Sequence, residues 1–264
     1  MEIYTTTFTL RNADVDQYRR LRPSVLLTAM QEAAIRHTTL LGAGREKTLD
    51  RGLLWVVALQ RAEIARWPEY DETVTLKTWP GRSMHLFFPR YYTLEDAEGQ
   101  TLVRASALWA LMDRQSRSMV FPEEAGVEIP GAALAEACAL PRAVKPISVT
   151  DEARFTVPYS YADLNGHMNN TRYLDLAQDV LPAALRQRPI TRLEIEHSAE
   201  ARVDQTLTLR FGGEGDDWFV QGEGEKRIFR LRLRYGCPGS HLPRVRRAAR
   251  SDRCAGQVRE RPQL

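Results

Sequence analysis

The 264-residue chain is poor in cysteine, in lysine and in long apolar runs, and each shortage removes a class of protein. Its three cysteines, Cys138, Cys237 and Cys254, fall at no metal-type spacing, and an odd number leaves one outside any disulfide scheme. A disulfide-stapled secreted scaffold is therefore not expected, and a reducing cytoplasm is. No stretch approaches the ~18 consecutive apolar residues of a membrane-crossing helix. The opening segment, MEIYTTTFTLRNADVD, has neither the basic start nor the apolar stretch of a secretory signal, and its alternation reads as a strand. Lysine supplies only four of the 37 basic residues, at 47, 77, 145 and 226. Such a bias is more often genomic composition than function, although arginine also suits an acidic partner or a phosphate.

What is present is an ordinary globular composition, 43% hydrophobic and 27% charged. Residues 22–42 place Val25, Leu26, Ala29, Met30, Ala33, Leu40 and Leu41 near helical spacing, with Pro23 suited to a first turn and Gly42 to a stop. From Leu53 to Val120 the pattern becomes β: LLWVVAL, TVTLKTW, LFFPRYYTL, LVRASALWALMD and SRSMVF, separated by turns. The Ala/Pro/Glu-rich stretch from Pro122 to Ser148 reads as a linker crossing the surface. A second unit follows, with strand-like RFTVPYSY over 154–161, a helix carrying Tyr173, Leu174, Ala177, Val180 and Leu181, and the strands ITRLEIEH, TLTLRF, WFVQGE and IFRLRLRY. Pro182 should end or kink that helix.

The units repeat one another. Ala13-Asp14-Val15-Asp16 stands before the first helix much as Ala162-Asp163-Leu164-Asn165 stands before the second, and Gln31-Glu32 echoes Gln178-Asp179. Asp71-Glu72-Thr73-Val74 likewise parallels Asp204-Gln205-Thr206-Leu207. The expected division is a unit over 1–125, a linker over 126–150, a second unit over 151–237 and a basic tail over 238–264. The tail is arginine-rich without interleaved aromatics, so it reads as a disordered, solvated segment rather than a nucleic-acid arm.

The densest polar stretch is YSYADLNGHMNNTRY, residues 159–173, where Asp163, Asn165, His167, Asn169, Asn170 and Thr171 lie between a strand and a helix. Residue types alone leave its meaning open. Asn165-Gly166 is a common turn pair, and Asn169, Asn170 or Thr171 could simply cap the helix. A calcium loop is excluded, because the glycine falls at the wrong position and Leu174 occupies the place of the closing glutamate. Zinc is not expected, since His167 has no histidine or cysteine at ligand spacing, and no G-x-S-x-G elbow appears. No metal and no cofactor are expected.

The segment D-L-N-G-H-M-N-N followed by R-Y resembles the D-x-N-x-H-x-N-N signature of plant and bacterial acyl-acyl carrier protein thioesterases. T-W-P-G (78–81), R-A-S-A-L-W-A-L-M-D (104–113) and I-E-H-S-A-E-A (195–201) resemble further motifs of that family in the same order. The resemblance implies an α+β, tandem hotdog fold, each unit a long helix wrapped by a curved antiparallel sheet. It implies fatty acyl-carrier protein hydrolysis in fatty acid biosynthesis, with the acyl chain against the first unit and catalysis in the second. By position, Asp163, Asn165 and His167 match the family's active-site residues and Glu200 its acidic partner. In the first unit, Asp14 and Asp16 occur without a histidine, and Trp67 stands where Glu200 falls. Ala201 occupies the place of a cysteine once considered a nucleophile, so a thiol mechanism there is impossible.

Asn169 and Asn170 are expected to face substrate through backbone N–H groups. Trp55, Trp79 and Trp109 fall on strands, where large aromatics are ordinarily core, but an acyl tunnel is built from the same side chains. The expected partner is acyl carrier protein, with no nucleic acid and no membrane span, and with a monomer or a homodimer equally open. The competing readings are an acyl-CoA thioesterase, a hotdog hydratase and a non-catalytic acyl-binding protein.

Overall fold

The computed structural model of the chain describes residues 2–135 and 137–237. The segment 238–264, expected above to be a disordered tail, lies outside the described residues. In chain order the first unit contains β1 (Tyr4–Thr9), α1 (Pro23–Leu40), β2 (Leu53–Ile64), β3 (Thr73–Pro80), β4 (Phe88–Glu95), β5 (Thr101–Asp113), β6 (Met119–Val120) and the short α2 (Pro122–Ala125). The second contains β7 (Asp151–Thr156), α3 (Arg172–Val180), β8 (Ile190–His197), β9 (Thr206–Glu214), β10 (Asp217–Glu223) and β11 (Arg227–Tyr235).

All strands join one antiparallel sheet of order β1-β3-β4-β5-β2-β8-β11-β10-β9-β7, with β6 paired to β5. Read outward from the centre, both halves have the same order, so β1 to β5 correspond to β7 to β11. Asp71 and Asp204 both adopt the left-handed conformation, at φ 68° and 64°, at matching places before β3 and β9. Arg61 and Glu194 stand at equal distances before these aspartates, and they face each other across the β2–β8 ladder. A pseudo-twofold axis therefore passes through that pair, as in an isologous dimer interface. This is the tandem hotdog architecture.

Helix α1 buries Leu26, Leu27, Met30, Ala33, Ala34 and His37, the i, i+3, i+4 stripe of a helix lying on a sheet. Pro23 opens it, and Gly42, at φ 77°, lets the chain leave in a left-handed turn. Helix α3 is half as long, nine residues against 18. It stops because Pro182 forces Leu181 into an extended conformation, ψ 154°. The two helices touch through Thr28 and Thr171, whose hydroxyls are 3.3 Å apart. Strand β2 presents Leu53, Trp55 and Val57 to the helices, then Ala62 and Ile64. That change from odd to even positions needs one extra residue, and a bulge at Ala58 supplies it.

Two boundaries differ from the sequence expectation. The strand expected over 154–161 runs Asp151–Thr156 and gives way to a turn at Tyr159–Tyr161, because Pro158 has no N–H for a ladder. SRSMVF forms only a two-residue strand. Beyond α2, the stretch expected to be a linker crosses the sheet face away from the helices. There Ser106 Oγ donates to Ala139 O at 2.7 Å and Ala132 N donates to Pro80 O at 3.1 Å. Gly131 lies so close to the 80–81 backbone that a Cβ would sit 2.3 Å from Gly81 O.

Two histidines tie stability to pH. Burial holds both His37 and His197 neutral, lowering each from 6.5 to about 4. The unfolded chain binds these protons first, so their neutral burial costs nothing above pH 6.5 and progressively more as pH falls toward 4. The unfolding free energy from urea titrations should fall between pH 7 and 5 by about 2 kcal/mol in all for each histidine. His197→Phe should make that decline shallower, and an unchanged slope would show that this ring is not buried neutral.

Candidate active site

The chain between β7 and α3 folds back on itself at the D-L-N-G-H segment. Asp163 N donates to His167 O at 2.9 Å, Gly166 N to Asp163 O at 3.0 Å, and Asn165 N to Asp163 Oδ1 at 2.8 Å. Gly166 takes φ 77°, which closes the turn without steric cost. Asp163 Oδ2 has no partner among the described residues.

A second segment, between β8 and β9, runs alongside. His167 and Arg202 form an isolated bridge, and Met168 N donates to Ala201 O at 2.8 Å. His167 Nε2 thereby comes within 3.5 Å of Glu200 Oε2. The same Glu200 oxygen accepts a hydrogen bond from Arg117 Nη2, which reaches over from the β5–β6 turn of the first unit. Arg117 is itself in a left-handed conformation, φ 58°, where an arginine is strained by roughly 1 kcal/mol. Burial lowers the His167 pKa below 6.5, and the charge of Arg117 lowers it further, against an opposing pull from Asp163. The ring is neutral at pH 7, and its Nδ1 is buried without a partner among the described residues.

Asp163, Asn165, His167, Asn169, Asn170 and Glu200 all line one cavity of about 340 Å³ between α1, β2 and α3. It shares Ile35, Leu54, Trp55, Trp109 and Asn165 with a second, largely apolar cavity of about 300 Å³ in the first unit. On the other side it shares His167, His197 and Glu200 with an open polar cleft of about 1080 Å³ that carries Arg117, Arg202 and Lys226. Asn165 thus stands where the polar and apolar spaces meet.

The other expected residues separate. Trp55 and Trp109 line both inner cavities. Trp79 lines neither: it lies on the opposite sheet face, stacked on Tyr91 with centroids 5.9 Å apart. Asn169 is occupied structurally, its N–H donating to Tyr161 O and its Oδ1 accepting from Thr171 N and Oγ1. Asn170 keeps a free N–H and an unpartnered, buried Oδ1 among the described residues. Arg117 was missed as an individual residue. Sequence gave only an arginine in a turn, with no sign that it crosses between units. Among the described residues no three histidine, cysteine, aspartate or glutamate side chains converge as metal ligands.

The first unit contains the same turn with different contents. Asp16 N donates to Arg20 O, Arg19 N to Asp16 O, and Tyr18 N to Asp16 Oδ1, so Asp16 and not Asp14 corresponds to Asp163, and Arg20 corresponds to His167. The sequence pairing of the two turns was displaced by two residues, since Ala-Asp is common to both but the hydrogen bonds are not. Arg20 pairs with Asp16 at 2.8 Å and donates to Arg186 O at 2.6 Å. Trp67, in the place of Glu200, donates to Ile190 O at 2.7 Å. This copy is filled by contacts to the other unit.

Comparison with known proteins places the chain among relatives. Residues 1–125 match the family model described as acyl-ACP thioesterase N-terminal domain, and residues 144–236 match the corresponding C-terminal domain. A dodecanoyl-[acyl-carrier-protein] hydrolase of Cinnamomum camphora is 26% identical over 257 residues, covering 88% of this chain and 67% of that protein. A palmitoyl-acyl carrier protein thioesterase of Cuphea hookeriana is 23% identical and covers 78% of this chain. The chain spans about two thirds of the first relative and 53% of the second. The solved structure of an acyl-ACP thioesterase from Bacteroides thetaiotaomicron superposes with a TM-score of 0.74 at 24% identity, covering 89% of this chain and 98% of that one. A 12:0-ACP thioesterase from Umbellularia californica gives the same TM-score at 21% identity, covering 89% and 97%. These two structures share the fold.

The Arg117 contact makes a direct prediction. In Arg117→Met the positive charge beside the imidazole is removed, so the His167 pKa should rise toward 6.5, as read by NMR titration of the ring. An unmoved value would mean that Arg117 does not sit beside this ring in solution.

Proposed function

The chain belongs to the acyl-ACP thioesterase family, and from that premise we propose that it hydrolyses a fatty acyl-acyl carrier protein thioester to free fatty acid and carrier protein. The relatives named as acyl carrier protein hydrolases and thioesterases support the substrate. The observation that carries the reading is the continuity of three spaces, from open polar cleft through a carboxylate-lined cavity to an apolar one. A thioester on a flexible arm needs that sequence of environments. In this reading residues 1–125 bind the acyl chain and residues 151–237 carry catalysis.

A thiol leaving group ionises near ~8.5 and needs little acid assistance, so the site must supply an attacking oxygen and stabilise the oxyanion. Asp163 is the available base, because its Oδ1 is held by the Asn165 N–H while Oδ2 is unengaged. It takes a proton from a water that attacks the carbonyl. Glu200 is fixed by Arg117 and stands 3.5 Å from Nε2 of neutral His167, on the side of the ring that faces the cavity. Asn165 and His167 hold water and substrate. The free N–H of Asn170, just before α3, polarises the carbonyl, a contribution of roughly 3 kcal/mol for one such donor. Asn169 is dropped from that role, since its N–H already serves Tyr161.

We place the enzyme in a reducing cytoplasm, where the buried Cys138 stays a thiol. The curated relatives are described as chloroplastic, which concerns those proteins. No helix among the described residues is long and apolar enough to cross a membrane.

Release of free acid from a length series of acyl-carrier protein thioesters, run beside matched acyl-CoA, tests the substrate. Carrier-protein thioesters should turn over faster, and equal or faster cleavage of acyl-CoA would reassign the carrier. Asp163→Asn should lower kcat by about 10² to 10⁴ with acyl binding retained. Single turnover in heavy-oxygen water should label only the fatty acid; label in the Asp163 carboxylate would replace the base with a nucleophile. Because His167 works neutral, kcat should stay level down to pH 6.5 and decline below it.

A further inference from the structure

The apolar cavity of the first unit holds a charge that a plain alkyl chain does not explain. Arg90, on β4, is only 4% exposed, and it lines that cavity. Its Nη1 donates to His37 Nδ1 at 3.1 Å and toward Thr78 Oγ1 at 3.4 Å, and its Nη2 donates to Thr38 Oγ1 at 2.9 Å. All three acceptors are neutral. A guanidinium has five N–H bonds, so two have no acceptor among the described residues. No aspartate or glutamate lines the cavity.

The remaining polar atoms point the same way. A guanidinium can only donate, so His37 Nδ1 accepts and the ring proton sits on Nε2, which is buried without a partner among the described residues. Trp55 and Trp109 both line the cavity; the Nε1–H of Trp55 is likewise buried and unpartnered among the described residues, whereas Trp109 faces the Tyr92 hydroxyl. Tyr92, fully enclosed beside Arg90 on the same strand, holds its hydroxyl against Trp109. The unpaired groups on the cavity wall itself, Arg90 and Trp55, are both donors. Filling this space with methylenes would bury a cation and an indole N–H group against hydrocarbon, the arrangement that protein interiors avoid.

We propose that the acyl chain selected by this cavity carries an acceptor oxygen on its far portion, a hydroxyl or carboxylate received by Arg90 with Trp55 as a supporting donor. The substrate class is then an oxygenated acyl thioester rather than a plain alkyl one. This rests on the thioesterase reading for its biological setting, but the recognition itself concerns binding.

Binding is therefore read apart from turnover. Quenching of tryptophan fluorescence is titrated in the wild-type protein with the unsubstituted, ω-hydroxy and ω-carboxy acids from octanoic to hexadecanoic. At the length that reaches Arg90, an oxygenated acid should bind about tenfold more tightly than its unsubstituted counterpart, a difference of about 1.4 kcal/mol. The hydroxy and carboxy arms separate a neutral acceptor from an anion. In Arg90→Met the preference should shrink to within about twofold, and Arg90→Lys should retain part of it. Tighter binding of the unsubstituted acid at every length overturns the proposal from the wild-type data alone, even if the variants fail to fold. So does equal weakening of all acids in Arg90→Met, which would make Arg90 a structural cap for the end of α1. Matched acyl-carrier protein thioesters complete the test. Selective binding without hydrolysis sinks the thioesterase reading and leaves this one, whereas hydrolysis without selective binding does the reverse.

Discussion

Where β2 meets β8, Ala62 and Leu193 leave no exposed surface, and the ladder around them joins a six-stranded and a five-stranded half into one sheet. An unpaired strand edge is a row of unsatisfied N–H and C=O groups, so each unit alone would present a long reactive edge at β2 or β8. Pairing these two edges satisfies both. It also fixes the helices on one common face and leaves the interhelical space as the place where a cavity can form. The outer side of the join carries Arg61, Glu63, Glu194 and Arg192 in a small charged network, with Arg61 within 3.2 Å of Glu194. The Arg61–Glu194 pair is half-buried, and the dry inner side of the join sets the geometry.

The candidate site depends on that join more than on either unit. His167 and Asp163 come from one unit, Arg117, Trp55 and Trp109 from the other, and Glu200 is gripped by a residue of each. The pseudo-symmetric copy has the reciprocal arrangement, in which Arg20 and Trp67 of the first unit bond to backbone carbonyls of the second. One turn geometry thus appears twice. In one copy short side chains leave a hollow lined by polar atoms, and in the other long side chains fill it and hold the units together.

Much of this was legible in sequence, for definable reasons. Helical spacing located α1, alternation located most strands, and the Asp71 and Asp204 segments exposed the repeat, because backbone positions with φ near 65° demand similar residues in both copies. The grouping of Asp163, Asn165 and His167 was visible because one turn carries all three. What sequence could not carry was distance between strands. Arg117 looked like any turn arginine, Trp79 looked like Trp55 and Trp109 although the strand pleat sends it to the other face, and the turns were matched two residues out of place. Arg90 reads as one residue in a strand, and only packing reveals that none of its hydrogen-bond partners among the described residues is acidic.

The fusion of two units in one chain has a consequence for how such a site can change. In a pair of identical subunits every substitution is made twice, so a residue that improves one hollow is imposed on its mirror position, where it could undo the joint. Here Arg20 and His167, or Trp67 and Glu200, occupy mirror positions under separate codons. Each half can drift on its own, without the compromise that strict symmetry enforces.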